Sequence, residues 1–150
     1  MQFDGSIRIK AEVSRVWDLL LDVDRFAACV PGVEEVRMVD ERTFDGTILA
    51  AVGPMSGKFN FRACIVETTP PSAMVSELEG RDSVTNSKVT ARTALTLTEV
   101  GPSDTDLGYS STVDINGRLA ILGDMVIRAT ATLVLEEFGN RVRAELENEE

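Results

Sequence analysis

The chain has 150 residues, of which 43% are hydrophobic and 27% charged, and its 15 Lys and Arg against 25 Asp and Glu give a net charge of −10. That length suits one domain with its own core, and the composition excludes a disordered tail or a coiled coil. Histidine is absent, which excludes Ser-His-Asp and Cys-His nucleophiles and the usual imidazole metal sites, while the acidic balance argues against wholesale binding to nucleic acid or anionic lipid.

The N-terminus alternates, with Phe3, Gly5, Ile7 and Ile9 against Asp4, Ser6, Arg8 and Lys10. This predicts a strand with one buried face. The period then changes. Ser14 is placed to cap a helix, and Val16, Trp17, Leu19, Leu20 and Val23 follow at helical spacing. A second short helical piece is expected from Asp24 to Ala28, ended by Pro31 and Gly32.

After Gly32 the pattern is that of strands. They are expected at Val33 to Val39, Thr43 to Val52, Lys58 to Thr68, Ala73 to Gly80, Ser87 to Glu99 and Leu107 to Ile115. Turn signals separate them, at Asp40-Glu41, Gly53-Pro54, Pro70-Pro71, Asp82 to Asn86 and Gly101 to Asp104. Such short connections imply an antiparallel meander. A long helix is then expected from Asn116-Gly117, with Leu119, Leu122, Met125 or Val126, Ala129 and Leu133 along one face. Gly139-Asn140 is a possible break. The acidic end ELENEE opposes the helix dipole and is expected to fray in solvent.

The order is strand, two short helices, six strands, one long helix. It predicts an α+β fold of the helix-grip kind: a seven-stranded curved antiparallel sheet wrapped on a long C-terminal helix. No repeat or linker interrupts it, so a single domain is expected over 1–150. Cys29 and Cys64 have no C-x-x-C motif and are expected as reduced, partly buried thiols. No run reaches ~18 apolar residues. MQFDGSIRIK lacks the apolar stretch of a signal peptide, so a cytoplasmic location is expected.

Strand parity predicts what the sheet turns inward. The inner set includes Phe44, Gly46, Ile48, Ala50 and Val52, then Gly57, Phe59, Phe61, Ala63 and Ile65, then Met74, Ser76, Leu78 and Gly80. It continues with Ser87, Val89, Ala91, Thr93, Leu95 and Leu97, and with Leu107, Tyr109, Ser111, Val113 and Ile115. The other parity carries Lys58, Arg62, Glu77, Glu79, Lys88, Arg92 and Asp114. One face is apolar and the other charged, as a half-solvated sheet requires. The inner set holds no acid, base or cysteine, and Tyr109 is its one weak candidate for proton transfer. Its small residues leave two readings open: an apolar ligand cavity beneath the helix, or a space filled by large side chains. Phe59 and Phe61 point inward together and suit stacking on a planar ring, or simple core packing.

Several ordered stretches resemble the carbon monoxide dehydrogenase CoxG family, within the START-like (polyketide cyclase and Bet v 1-like) superfamily. They are FDGSIRI, VWDLLLDVDRFAACVPGVEEV, FDGTILAAVGPMSGKFNFRACIVETTPP and VDINGRLAILGDMVI, which together span nearly the whole chain. The resemblance implies a helix-grip sheet over an apolar cavity. It also implies a link to a molybdenum-containing carbon monoxide dehydrogenase or related hydroxylase, either as a carrier of a hydrophobic quinone or as a membrane recruitment factor. Many members carry a C-terminal hydrophobic or amphipathic helix. This sequence ends at Glu150 with ELENEE, so any membrane contact is expected to be peripheral and unanchored.

The expected wall of the cavity is Trp17, Phe26, Met38, Phe44, Ile48, Phe59, Phe61, Leu78, Ala91, Thr93, Tyr109, Ser111, Val113, Leu122, Met125 and Val126. Pro31, Gly32 and Gly123 are candidates for its mouth. Trp17 also reads as core, and Pro31-Gly32 as a plain turn. Gly117 and Gly123 each cost a helix about 1 kcal/mol against Ala, which asks for a reason in packing or in room for a ligand. No catalytic residue, metal ligand or cofactor is expected. The expected function is non-catalytic binding or carriage of a hydrophobic small molecule such as a quinone or similar lipid. A ligand-free assembly factor for the hydroxylase and a cyclase- or hydrolase-like enzyme are the alternatives. No nucleic acid partner is expected.

Overall fold

The N-terminal alternation forms strand β1 (Gln2–Ile9), with Ile7 and Ile9 buried. In this computed structural model, which describes residues 1–82 and 86–147, two short helices follow, α1 (Val13–Leu21) and α2 (Val23–Cys29). Ser14 is not the cap of the first. Glu12 holds the N-cap position without a side-chain cap bond. The helix forms because Val16, Trp17, Leu19 and Leu20 are buried along one face, and packing outweighs a missing cap. α2 does have a cap: the Asp22 carboxylate accepts from the Arg25 amide at 3.2 Å.

Six strands follow: β2 (Val33–Asp40), β3 (Thr43–Val52), β4 (Met55–Thr69), β5 (Ala73–Asp82), β6 (Ser87–Gly101) and β7 (Asp104–Asn116). Several run beyond their predicted ends because the ladder continues to the turn, as at Val52 opposite Met55 and Gly101 opposite Asp104. The seven strands form one antiparallel sheet in the order β1-β7-β6-β5-β4-β3-β2. β1 therefore closes beside β7, and α1 and α2 carry the chain to the opposite edge at β2.

The register agrees with the parity. Phe44 lies opposite Ala63, Ile48 opposite Phe59, Phe61 opposite Gly80, Leu78 opposite Ala91, and Thr93 opposite Ser111. Directly opposed residues share a face, so the apolar set is collected on one side. The charged set pairs on the other, with Arg62–Asp45 at 2.7 Å, Arg92–Glu77 at 2.8 Å and Lys58–Glu34 at 3.2 Å. One expectation fails. β5 continues to Asp82, which shares the inner face with Leu78 and Gly80 and is only 3% exposed. The inner face does hold an acid, and a Cβ on Gly57 would collide with its carboxylate.

The single C-terminal helix is also corrected. Gly117 (φ +91°) and Gly123 (φ +85°) bracket a 3-10 turn over Arg118–Leu122, and helix α3 (Asp124–Glu147) begins only after it. Neither glycine lies in a helix interior. Both hold left-handed backbone that strains other residues. At Gly117 a side chain would also strike the Asn86 carbonyl, whereas nothing lies within 4 Å of Gly123, so backbone conformation alone explains Gly123.

This break resets the helical phase. The predicted stripe is not the buried one: Met125 is 85% and Leu133 67% exposed. Ile127, Gly139, Val142 and Leu146 face the protein instead. Gly139 does not interrupt α3, because it packs 3.5 Å from Ile7. The last described turn does not fray either. Leu146 is buried, Glu145 pairs with Arg25 at 3.2 Å, and the Glu147 carboxylate accepts from the Lys10 amide at 3.3 Å. The predicted turn at 83–85 and the predicted solvated end at 148–150 lie outside the described residues.

The core has two parts. The larger joins β1, β7, α1 and the end of α3 through Ile9, Val16, Leu19, Leu107, Val142 and Leu146. The smaller joins Val52, Phe59, Leu119 and Ile127. Both cysteines are free thiols, Cys29 buried and Cys64 half-buried. Burial pushes the Cys29 thiol up from its ordinary value, with the Glu145 charge adding to it. Among the described residues no helix is long and apolar enough to cross a membrane.

Candidate functional site: an apolar cavity under the second helix

Between the two parts of the core lies a cavity of about 360 Å³. Its floor is the inner face of the sheet. β3 supplies Phe44, Ile48 and Ala50, and β4 supplies Phe59, Phe61, Ala63 and Ile65. β5 adds Met74, Ser76, Leu78 and Gly80, and β6 adds Val89 and Leu95. Leu20 of α1 and Val23, Phe26, Ala27 and Val30 of α2 form the roof. Val33 and Val36 of β2 close one side and Leu119 one end.

The space has a local cause. Ala50, Ala63 and Gly80 sit among large floor residues and reach little way up. No side chain of α3 enters the wall. That helix rests on the two parts of the core, through Ile127 near its start and Val142 and Leu146 near its end. The cavity is therefore covered by α2, not gripped under the middle of the long helix.

The wall offers little chemistry besides apolar contact. Ser76 brings a hydroxyl, and no Asp, Glu, Lys or Arg takes part. Cys64 belongs to the wall, against expectation, but its thiol lies 3.8 Å from the Thr43 hydroxyl, and the two residues are opposed on the outer-face parity. Asp82 is buried at the far end of β5 and is not part of the wall. Such a surface binds through shape and apolar area. A charged ligand would lose its hydration there and find no counter-charge. A wider depression of about 920 Å³ on the outer face is lined by charged residues such as Arg62, Glu77, Glu79 and Arg92, so it does not suit an apolar molecule. Among the described residues no cluster could hold a metal ion.

Phe26, Phe44, Ile48, Phe59, Phe61 and Leu78 are the predicted site residues that meet in this wall. The others stand elsewhere. Trp17 is buried in the larger core, because α1 packs over the β1–β7 side. Met38 shares the parity of Phe44 but is 57% exposed, because β2 is the edge strand. Ala91, Thr93, Ser111 and Val113 have the expected register but lie outside the wall, and Thr93 and Ser111 hydrogen-bond each other at 2.9 Å. Tyr109 packs over Gly5 beside the larger core. Leu122 and Val126 pack on the smaller core, and Met125 faces solvent. Pro31 and the exposed Gly32 (φ +92°) make the turn into β2, with the Gly32 carbonyl accepting from the Leu49 amide at 2.8 Å. Gly123 forms the break before α3 and is not in the wall.

The roof was the larger omission. Val23, Phe26, Ala27 and Val30 fall at i, i+3, i+4 and i+7, which is the spacing of one helical face. That signal was present in the sequence.

The curved sheet, the two short helices and the C-terminal helix define a helix-grip domain of the START type. The family model of the carbon monoxide dehydrogenase component CoxG matches residues 5–147, and the chain belongs to that family. A conserved protein from Geobacillus kaustophilus superimposes with a TM-score of 0.90 at 21% identity, covering 97% of this chain and 94% of that one. A START superfamily protein from Mycobacterium smegmatis gives 0.75 at 11% identity, covering 97% of each chain. The Zhui aromatase/cyclase from Streptomyces sp. R1128 gives 0.74 at 13% identity, covering 98% of this chain and 93% of that one. These likenesses are of fold. No curated protein sequence matches the chain.

Proposed function

We propose that this protein is a non-catalytic carrier of an uncharged hydrophobic molecule, a quinone or a similar ring-bearing lipid, accessory to a molybdenum-containing carbon monoxide dehydrogenase or a related hydroxylase. The observation that carries this reading is the cavity wall, which is apolar apart from the Ser76 hydroxyl and has no acid or base. Its volume of about 360 Å³ suits a ring system and falls within the usual span of small-molecule sites. A longer tail would run out through the open side. Family membership supports the accessory role. Carriage and not turnover is favoured because general acid–base chemistry needs a titratable group in reach of the ligand.

Organic extraction with mass spectrometry, and calorimetric titration with short-tailed benzoquinone and naphthoquinone analogues, test the reading. The expected result is saturable one-to-one binding that Ala63→Phe abolishes while the circular dichroism spectrum is kept. An extract free of apolar compounds, together with no binding of either analogue, would overturn it and favour a ligand-free assembly role.

A further inference from the structure

We infer that the open edge of β2 pairs antiparallel with the same edge of a second copy, forming a closed two-fold dimer. The two edges of the sheet are treated differently. At β1, helix α3 occupies the edge: Arg128 Nη1 donates to the Gln2 carbonyl at 3.2 Å and Arg143 Nε to the Arg8 carbonyl at 3.1 Å. At β2, among the described residues, no side chain hydrogen-bonds the strand's backbone, and Met38 and Val39 stand exposed there. An uncovered strand edge is a template for another strand.

The charge pattern selects the occupant. Irregularities between Val33 and Glu35 and between Met38 and Asp40 leave Glu35 to Met38 as the regular stretch. In a two-fold antiparallel pair, opposed residues share a face, so the axis must pass through a residue. An axis through Arg37 sets arginine against arginine. An axis through Val36 sets Glu35 of each copy against Arg37 of the other, twice. Val36 then meets Val36 on the inner face, with Met38 diagonal to it. Within one chain both charges are available. Arg37 lies opposite Asp45, but the Asp45 carboxylate is held by Arg62 through two bonds of 2.7 and 2.8 Å. Neither Glu35 nor Arg37 makes an ion pair within 4.0 Å among the described residues.

The dimer closes on itself because its remaining edges are the two β1 strands, each covered by α3. Val33 and Val36 belong to the cavity wall, so the added strand would border the cavity.

Sedimentation velocity across a concentration series tests this on the wild type, on Glu35→Arg, on Arg37→Glu and on the charge-swapped pair of both changes. The wild type is expected to dimerise. Each single reversal turns two attractive contacts into two repulsive ones and should weaken association about tenfold or more. The swapped pair should restore it. A wild type that stays monomeric throughout would overturn the inference, as would single variants that dimerise as the wild type does. Circular dichroism confirms that each variant is folded.

Discussion

The two ends of the inner face are built from the same alternation and finish in opposite states. At the β1–β7 end the space is full: Leu107 is 1% exposed, and Ile9, Val16, Leu19, Val142 and Leu146 are buried with it. At the β3–β6 end the space is open, and half-buried Phe44, Phe61 and Leu78 face a cavity. The floors differ less than the roofs. α1 and the last turns of α3 press Val16, Leu19, Val142 and Leu146 onto the first end. The second is covered mainly by one seven-residue helix, α2, above small residues such as Ala50, Ala63 and Gly80. Alternation thus decides which face is buried. Where the helices land, and how tall the floor side chains are, decides whether that face is solid or hollow.

Breaking this contrast should show most at the full end. Leu107→Ala is expected to cost about 2–5 kcal/mol, because tight packing there allows little collapse. That corresponds to a fall in Tm of roughly 2–4 °C per kcal/mol in a domain of this size. Leu78→Ala at the open end should cost clearly less, since a side chain beside a cavity forfeits fewer contacts. Equal losses in thermal melts would contradict the contrast.

Overpacking sharpens it from the other side. Ala11→Phe in the full end should destabilise by about 1–3 kcal/mol or more. Ala63→Phe at the open end should be tolerated better and should act on ligand binding instead. Denaturant titration of the two variants makes the comparison. Gly117→Ala lies outside both ends. It should lose about 1–2 kcal/mol from left-handed backbone alone, and more from the collision with the Asn86 carbonyl; Gly123→Ala should lose only the backbone part.

The smallest effect belongs to the outer face. The Arg62 guanidinium holds the Asp45 carboxyl below its ordinary value, and Arg81 with Lys88 does the same to Glu79. A carboxyl lowered in the folded state stabilises fully above its unfolded value, and that contribution disappears as pH falls through the folded value. The Tm of Arg62→Gln should therefore lie slightly below that of the wild type at neutral pH, and the gap should narrow on acidification. A gap that stays constant would separate Arg62 from Asp45.

Much of the architecture was legible because its signals are local. Phe44, Ile48, Phe59, Phe61 and Leu78 were legible as inward-facing from a period of two, and Phe26 from helical spacing. Each is now a neighbour of the others in the wall. Asp82 was missed because the apolar alternation ends at Gly80 while the backbone ladder does not. The exposed Met125 and Leu133 were misplaced because Gly123, with a positive φ, separates two helical phases that read as one. Trp17 and Met38 have the right pattern for a wall. The first belongs to a helix over the full end and the second to an edge strand, and neither fact is encoded nearby.

By itself, the sequence determined the class of fold, the face each strand buries, the charged outer surface and the family. Each follows from periodicity, turn chemistry or ordered motifs within short stretches of chain. Only the tertiary structure decided that the cavity lies under α2, that α3 bridges between two packed clusters, and that β2 is the uncovered edge. The physical reason is that packing is settled between segments far apart in the chain. Whether a buried face is filled depends on which helix arrives opposite it, and no local pattern carries that information.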